Sequence, residues 1–338
     1  MSEALGERLT LQRRLNVPAL TEHPDVESIR LLLQQKIDES VSRIVPATVL
    51  SLEREHGWLE SYHNALRTYE RFGMFEGRTS KNALMSPKEV RDGAPGVGDI
   101  LDALKTRPEL LAKIEQGFTK VHPVPFGLSP TSFKEPMGKA ITQYHGEGKL
   151  RSSDGTKLKL DASQPVWMWD AYEGADTNGS LVYSPERFDP KNHGGKTKKE
   201  MLEASQFPGW QVLLVESLKD IPRQGKGQTV GGRPQIEANH TPHEYLQLLR
   251  ADGHSLEQGP TPEAWQSLFL TRLAETDGEV LDDYQSGAVC YCTDAYFPSS
   301  GFVPRAYWLR GSGQADVGES DPGRRNPDVG ARVGVRVV

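Results

Sequence analysis

His240, His243 and Glu244 are the first residues whose types suggest chemistry, because two imidazoles and a carboxylate within five positions are raw material for a metal centre. A zinc-hydrolase helix needs its histidines one turn apart with the glutamate between them, whereas Glu244 follows both. Thr241-Pro242 explains the run better as the start of a helix. Gly194-Gly195-Lys196-Thr197 imitates the end of a phosphate loop, but Pro190 stands where that motif needs its first glycine. Gly225-Lys226-Gly227 and Gly231-Gly232 read as tight turns. Cys290-Tyr291-Cys292 puts both thiols on one side of an extended segment, in geometry unsuited to a mutual disulfide. Soft-metal sites recruit more ligands than lie nearby, so both cysteines are expected as small buried hydrophobes. Trp167 and Trp169 also share a side and read as core in preference to a sugar- or base-stacking platform. Asp176-Thr177-Asn178-Gly179 is turn chemistry with too few oxygens for a calcium loop. No histidine follows His254, so the C-terminal part cannot by itself supply a Ser-His pair. No catalytic residue, metal site or cofactor is expected.

What remains is a surface. From Gly301 to Val338, small or apolar residues interleave with polar or bulky ones at period two. Alternate side chains of an extended segment point to opposite faces. Tyr307 and Leu309 therefore share one side, as do Asp316, Gly318 and Ser320, and again Arg324, Asn326 and Asp328. One face would hold the fold and the other would meet a partner.

The elements that must carry this surface are legible in outline. Val26, Ile29, Leu33, Ile37 and Val41 recur at helical spacing after His23-Pro24-Asp25. A second stripe, Trp58, Tyr62, Leu66 and Tyr69, stops at Gly73. Thr106-Arg107-Pro108-Glu109 has the spacing of a capping box, with Gly117 at the expected helix end. Residues 1–122 thus read as a helical N-terminal unit. Prolines 123, 125, 130 and 136 then break the pattern and suggest a boundary. Strands are expected at Lys157 to Leu160, Val166 to Trp169, Leu181 to Tyr183, Trp210 to Glu216, Ala288 to Tyr291, Arg305 to Leu309 and Arg332 to Val337. Helices are expected after Thr241-Pro242 and Thr261-Pro262. The fold class is α+β, a helical unit followed by a loop-rich, mostly antiparallel domain over 123–338.

With 46 acidic against 40 basic residues, the chain lacks the positive field of a non-specific nucleic-acid binder. The basic stretch Lys191 to Lys199 reads as a solvated loop. No segment reaches the ~20 apolar residues of a membrane span, and no targeting signal is evident. A cytoplasmic protein is expected, with a phage particle or surface display also compatible.

The pair Ala306-x-Trp308, with Gln314-Ala315, Asp321-Pro322, Gly330-Ala331-Arg332 and the terminal Val335-Arg336-Val337, resembles the variable region of diversity-generating retroelement target proteins. Gly209-Trp210-Gln211-Val212-Leu213-Leu214 and Gly231-Gly232-Arg233-Pro234-Gln235 resemble the same family. The resemblance implies a C-type lectin fold of the formylglycine-generating-enzyme type, with residues 301–338 as a diversifiable ligand-binding surface. It implies contact positions Tyr307, Leu309, Ser312, Asp316, Gly318, Ser320, Asp321, Arg324, Asn326 and Asp328. The framework beneath would be Trp308, Val317, Pro322, Gly330, Ala331, Arg332 and Arg336. The implied partner is a protein or other macromolecule; nucleic acid and membrane insertion are not expected. Two alternatives are an oxidoreductase-like relative of formylglycine-generating enzymes acting through Cys290 or Cys292, and a phage or cell-surface adhesin.

Overall fold

A computed structural model describes residues 54–77 and 83–338. The helical stripe expected at 26–41 lies outside the described residues. The chain divides into two compact units, Met1–Trp58 and Leu59–Val338, and the second carries everything below. It begins well before the proline-rich stretch at 123 and mixes helices with mainly antiparallel sheets.

Its helices are α1 (residues 54–71), α2 (Pro87–Asp92), α3 (Val97–Thr106), α4 (Pro108–Glu115), α5 (Lys134–Gly146), α6 (Ala175–Asn178), α7 (Lys198–Glu203), α8 (Pro242–Leu248) and α9 (Pro262–Glu275). The strands begin with β1 (Lys120–Val124), β2 (Val166–Met168), β3 (Val182–Tyr183), β4 (Gln211–Val215), β5 (Thr229–Val230), β6 (Arg233–Pro234) and β7 (Glu257–Gln258). They continue with β8 (Val289–Tyr291), β9 (Ala295–Tyr296), β10 (Val303–Leu309), β11 (Gln314–Ser320), β12 (Val329–Gly330) and β13 (Gly334–Arg336).

The aromatic stripe of α1 is core: Tyr62 and Tyr69 are buried, and the Tyr69 hydroxyl donates to the Pro123 carbonyl at 2.6 Å. Helices α8 and α9 start where their Thr-Pro dipeptides predict. Thr241 and Glu244 form a reciprocal capping box, and the Thr261 hydroxyl accepts from the Ala264 amide. The capping box expected at Thr106 is not formed, because Arg107 is the N-cap of α4 and makes no side-chain cap bond. Thr106 instead closes α3, its hydroxyl donating back to the Asp102 carbonyl.

Three further expectations need correction. Lys157 to Leu160 forms no strand; Lys157 makes only an isolated bridge to Arg151. The proline-rich stretch holds β1, tolerated because β1 is an edge strand and Pro123 need not donate outward. It also holds the start of α5, where Pro136 sits in the first turn and removes no intrahelical bond. The basic stretch is not wholly solvated: Lys198 is fully buried between Asp176 at 3.0 Å and Glu263 at 2.7 Å.

Two sheets organise the unit. One is antiparallel throughout, in the order β1-β4-β13-β7, so the C-terminal strand pairs centrally beside β4. The other runs β12-β8-β10-β11-β2; its three central strands are antiparallel, and β12 and β2 join in parallel at its edges. Helix α9 packs against α5, β1 and β10, and its Trp265 donates to the Asp282 carboxylate at 2.8 Å. Arg332 grips the same carboxylate through Nε and Nη2 and reaches the carbonyls of Leu218 and Lys219. Gly330 is required beside it, since a Cβ there would lie 2.5 Å from Cγ2 of Ile221. The Gly-Ala-Arg run is thus a packing and anchoring device at the β12 edge of the five-stranded sheet.

Candidate ligand-binding site

Register decides which residues of the tail share a face. In the β10–β11 ladder Tyr307 stands opposite Asp316, Arg305 opposite Gly318, Leu309 opposite Gln314 and Val303 opposite Ser320. On the other face Trp308 stands opposite Ala315 and Ala306 opposite Val317, all four fully buried. The neighbouring strands extend both layers. Tyr291 of β8 lies beside Arg305 and Trp167 of β2 beside Asp316, while Cys290, Val166 and Met168 fall on the inner face. The inner layer merges with the main core, where Trp308 stacks on Phe269 of α9 at 6.4 Å.

The outer layer is not an open plane. Tyr307 and Asp316 each retain only 7% of their surface and Tyr291 1%, so little of each is reachable. Arg305 and Trp167 are half-buried, and Tyr284 stands 41% exposed against Tyr307 in an edge-to-face contact. The Arg305 guanidinium lies over the Tyr307 ring, 5.4 Å from its centroid. Gly318 forms the floor beneath these groups. A Cβ there would lie 3.2 Å from Asp316 Oδ1, 3.3 Å from Cζ3 of Trp167 and 3.6 Å from Arg305 Nε.

The electrostatics of this cradle follow from its burial. Asp316 Oδ1 and Arg305 Nε are both shut from water without a hydrogen-bond partner. Desolvation pushes the Asp316 carboxyl up to about 6, with Glu319 adding to the rise and Arg305 opposing it. Burial, with Asp316 next to it, likewise raises the Tyr307 hydroxyl. A buried polar group left unmatched costs about 1–3 kcal/mol.

The remaining tail positions divide. Ser320 ends β11 on the outer side, and the loop beyond it presents Asp321 and Arg324 to solvent. That loop is tied to the same face, because the Tyr291 hydroxyl donates to the Arg324 carbonyl at 3.1 Å. Ser312 is exposed in the β10–β11 turn, at the opposite end of β10 from Arg305. Asn326 and Asp328 are occupied elsewhere: the Asn326 carboxamide accepts from the Asp328 amide, and the Asp328 carboxylate pairs with Arg223.

Arg305, Tyr291 and Tyr284 escaped the sequence reading as site residues, and Trp167, expected in the core, instead lies half-buried on the outer face beside Asp316. Arg305 was within reach of it, since period two carried one step back from Tyr307 lands there. The other three come to the face only through β8–β10 and β11–β2 pairing and a loop packing, which no local pattern encodes.

The other candidates for chemistry are accounted for by packing. Cys290 and Cys292 are fully buried, and desolvation holds the Cys292 thiol well above its ordinary value. Thr197 caps α7 with Glu200 in a reciprocal box, so the Gly-Gly-Lys-Thr run is a helix entry. Arg233 of the Gly-Gly-Arg segment is sealed inside, paired with Glu257 at 2.7 Å and Glu216 at 2.9 Å. Among the described residues, no group of three or more His, Cys, Asp or Glu side chains is placed to hold a metal ion. None of their helices is long and apolar enough to cross a membrane. No protein-family model, curated protein or solved structure matches the chain.

Proposed function

We propose that this chain is a ligand-binding protein that displays exchangeable side chains on a C-type-lectin-like scaffold, in the manner of a retroelement target protein. The observation that carries the reading is the division of labour across the β10–β11 ladder. Tyr307 with Asp316 and Arg305 with Gly318 occupy one face, while Trp308 with Ala315 and Ala306 with Val317 are locked into the core behind it. On this reading, substitution on the first face is expected to leave the second undisturbed. The inner place of β13 between β4 and β7 and the anchoring of Arg332 on Asp282 also favour a scaffold whose 329–336 segment is firmly held. Contacts mounted on paired strands and a tethered loop lose less freedom on binding than a disordered segment would. The partner is a protein or other macromolecule whose surface supplies most of the contact area, since the exposed groups are the loop residues Asp321 and Arg324 and the edges of Arg305, Trp167 and Tyr284.

Sequencing the DNA beside the gene tests the diversification. The expected finding is a near-copy of the segment encoding 301–338 next to a reverse-transcriptase gene. Its differences should fall mainly at adenines in the codons for Tyr307, Asp316, Gly318 and Arg324. Absence of such a copy, or differences concentrated in the codons for Trp308, Val317, Gly330 and Ala331, would overturn the proposal.

A further inference from the structure

Away from the tail face, the fold keeps an open recess. A cavity of about 140 Å³ lies between the end of β4, helix α9 and the link from β12 to β13. Its floor is apolar: Val215, Ile221, Ile236, Leu281, Ala331 and Val333 are all buried. Its mouth is charged and reaches solvent, since Ser217 and Glu275 are exposed there. Helix α9 sets this gradient, because Leu268, Arg272 and Glu275 follow one another at helical spacing along one wall. None of these residues belongs to the outer face of the β10–β11 ladder.

Volume limits what can fill the recess. An apolar cavity of about 150 Å³ holds one benzene ring, so the floor accepts a body of roughly six carbons and no fused pair of rings.

The polar groups at the mouth decide what that body must carry. Glu216 is held by Arg233 at 2.9 Å, Arg332 by Asp282 at 2.8 Å, and Glu275 by Lys120 at 2.5 Å. Arg272 is only partly matched. Its Nη2 pairs with Glu279 and its Nε is sealed from water, whereas Nη1 is not sealed and, among the described residues, donates to nothing. The side chain keeps 22% of its surface, so an incoming acceptor can reach it. The Lys120 ammonium carries three donors and gives one to Glu275. Both cations thus hold spare donors at one opening, which favours an ionised acceptor over a neutral one and repels an ammonium group.

We propose that this cavity binds a small monocarboxylic acid, its apolar body filling the floor and its carboxylate meeting Arg272 and Lys120 at the mouth. Such a site is separate from the displayed face and would serve a small molecule where that face serves a macromolecule.

The test uses the full chain carrying 13C at the isoleucine methyls, with the floor signals identified by their loss in Ile221→Val and Ile236→Val. Benzoate is titrated in, with benzamide, benzylammonium and naphthoate as separate probes. The expected result is a saturable movement of both floor signals with benzoate, about tenfold weaker with benzamide, and none with the amine or the fused ring. Arg272→Gln should reduce benzoate to the level of benzamide. Leu218→Trp, which plugs the cavity from its half-buried rim and keeps every charge, should abolish the movement, and it keeps the test decisive if Arg272→Gln fails to fold. No movement with benzoate, an equal response to benzamide or benzylammonium, or benzoate binding retained in Leu218→Trp would overturn the assignment.

Discussion

Replacing Asp316 by asparagine should make the protein more stable, an outcome opposite to that expected of a structural carboxylate. The side chain keeps its shape, and the change removes a charge whose buried oxygen Oδ1 has no hydrogen-bond partner and which Arg305 offsets only in part. Desolvation lifts the carboxyl from 3.8 to about 6, and each unit corresponds to about 1.4 kcal/mol, so the buried charge costs at most about 3 kcal/mol. Solvent screening along the half-buried Arg305 lowers this to roughly 1–2 kcal/mol. The sign follows from proton binding. Between 3.8 and about 6 the folded state holds the proton more tightly than the unfolded state, so stability falls as pH rises through that window and stays lowered above it. Asp316→Asn should therefore gain roughly 1–2 kcal/mol at pH 7.5, a rise of about 2–5 °C in Tm for a unit of this size. The gain should shrink toward zero at pH 4. Thermal unfolding followed by circular dichroism at the two pH values reads both. A variant less stable than the parent at pH 7.5, or a gain that does not change with pH, would show that the carboxylate is satisfied in the fold and refute the reasoning.

Three other outcomes test the scaffold. Lys198→Met should destabilise the protein by about 3–5 kcal/mol in denaturant titrations, because it strands the buried carboxylates of Asp176 and Glu263. Burial tends to lower the Lys198 pKa, but Glu263 and Asp176 more than offset it, so this loss should persist across neutral pH. Arg332→Ala leaves the buried Asp282 carboxylate with the neutral Trp265 indole but no cation, and removes a donor from two carbonyls; it should cost a similar amount, while the conservative Arg332→Lys recovers only part of it. His122 is fully buried, with its ring bonded to Ser267 at 2.8 Å, and burial holds its pKa well below 6.5. Its neutral form is the one the fold accepts, so its contribution is complete above pH 6.5 and erodes as pH falls below that value. Urea midpoints measured between pH 7.5 and 5 should decline in the parent and decline less in His122→Asn.

The sequence was most legible where a local rule acts alone. Thr241-Pro242 and Thr261-Pro262 open helices because capping chemistry is complete within four residues. The period-two alternation of the tail separates Trp308 and Val317 from Tyr307 and Asp316 because strand geometry permits nothing else. Reading failed where tertiary pairing overrides composition. The proline-rich stretch at 120–136 became an edge strand and a helix start, since both positions tolerate proline. Thr106 and Pro108 looked like one cap until a preceding helix claimed the threonine. Lys198 sits in a basic run that looks solvated, and only Asp176 and the distant Glu263 draw it inside. The candidate site shares this limit. Tyr307, Asp316 and Gly318 were visible as a set, but the groups that give the cradle its chemistry arrive from β2 and β8 and from the start of β10.

The central claim is that one side of the β10–β11 ladder can vary while the other cannot. Two libraries in the full chain, displayed and challenged with protease, measure this directly. One randomises Tyr307, Leu309, Ser312, Asp316, Gly318 and Ser320; the other randomises Ala306, Trp308, Ala315, Val317 and Cys290. A largely protease-resistant first library and a second that survives almost nowhere is the predicted result. Equal collapse of both, or a first library that fails while the second is tolerated, would contradict it.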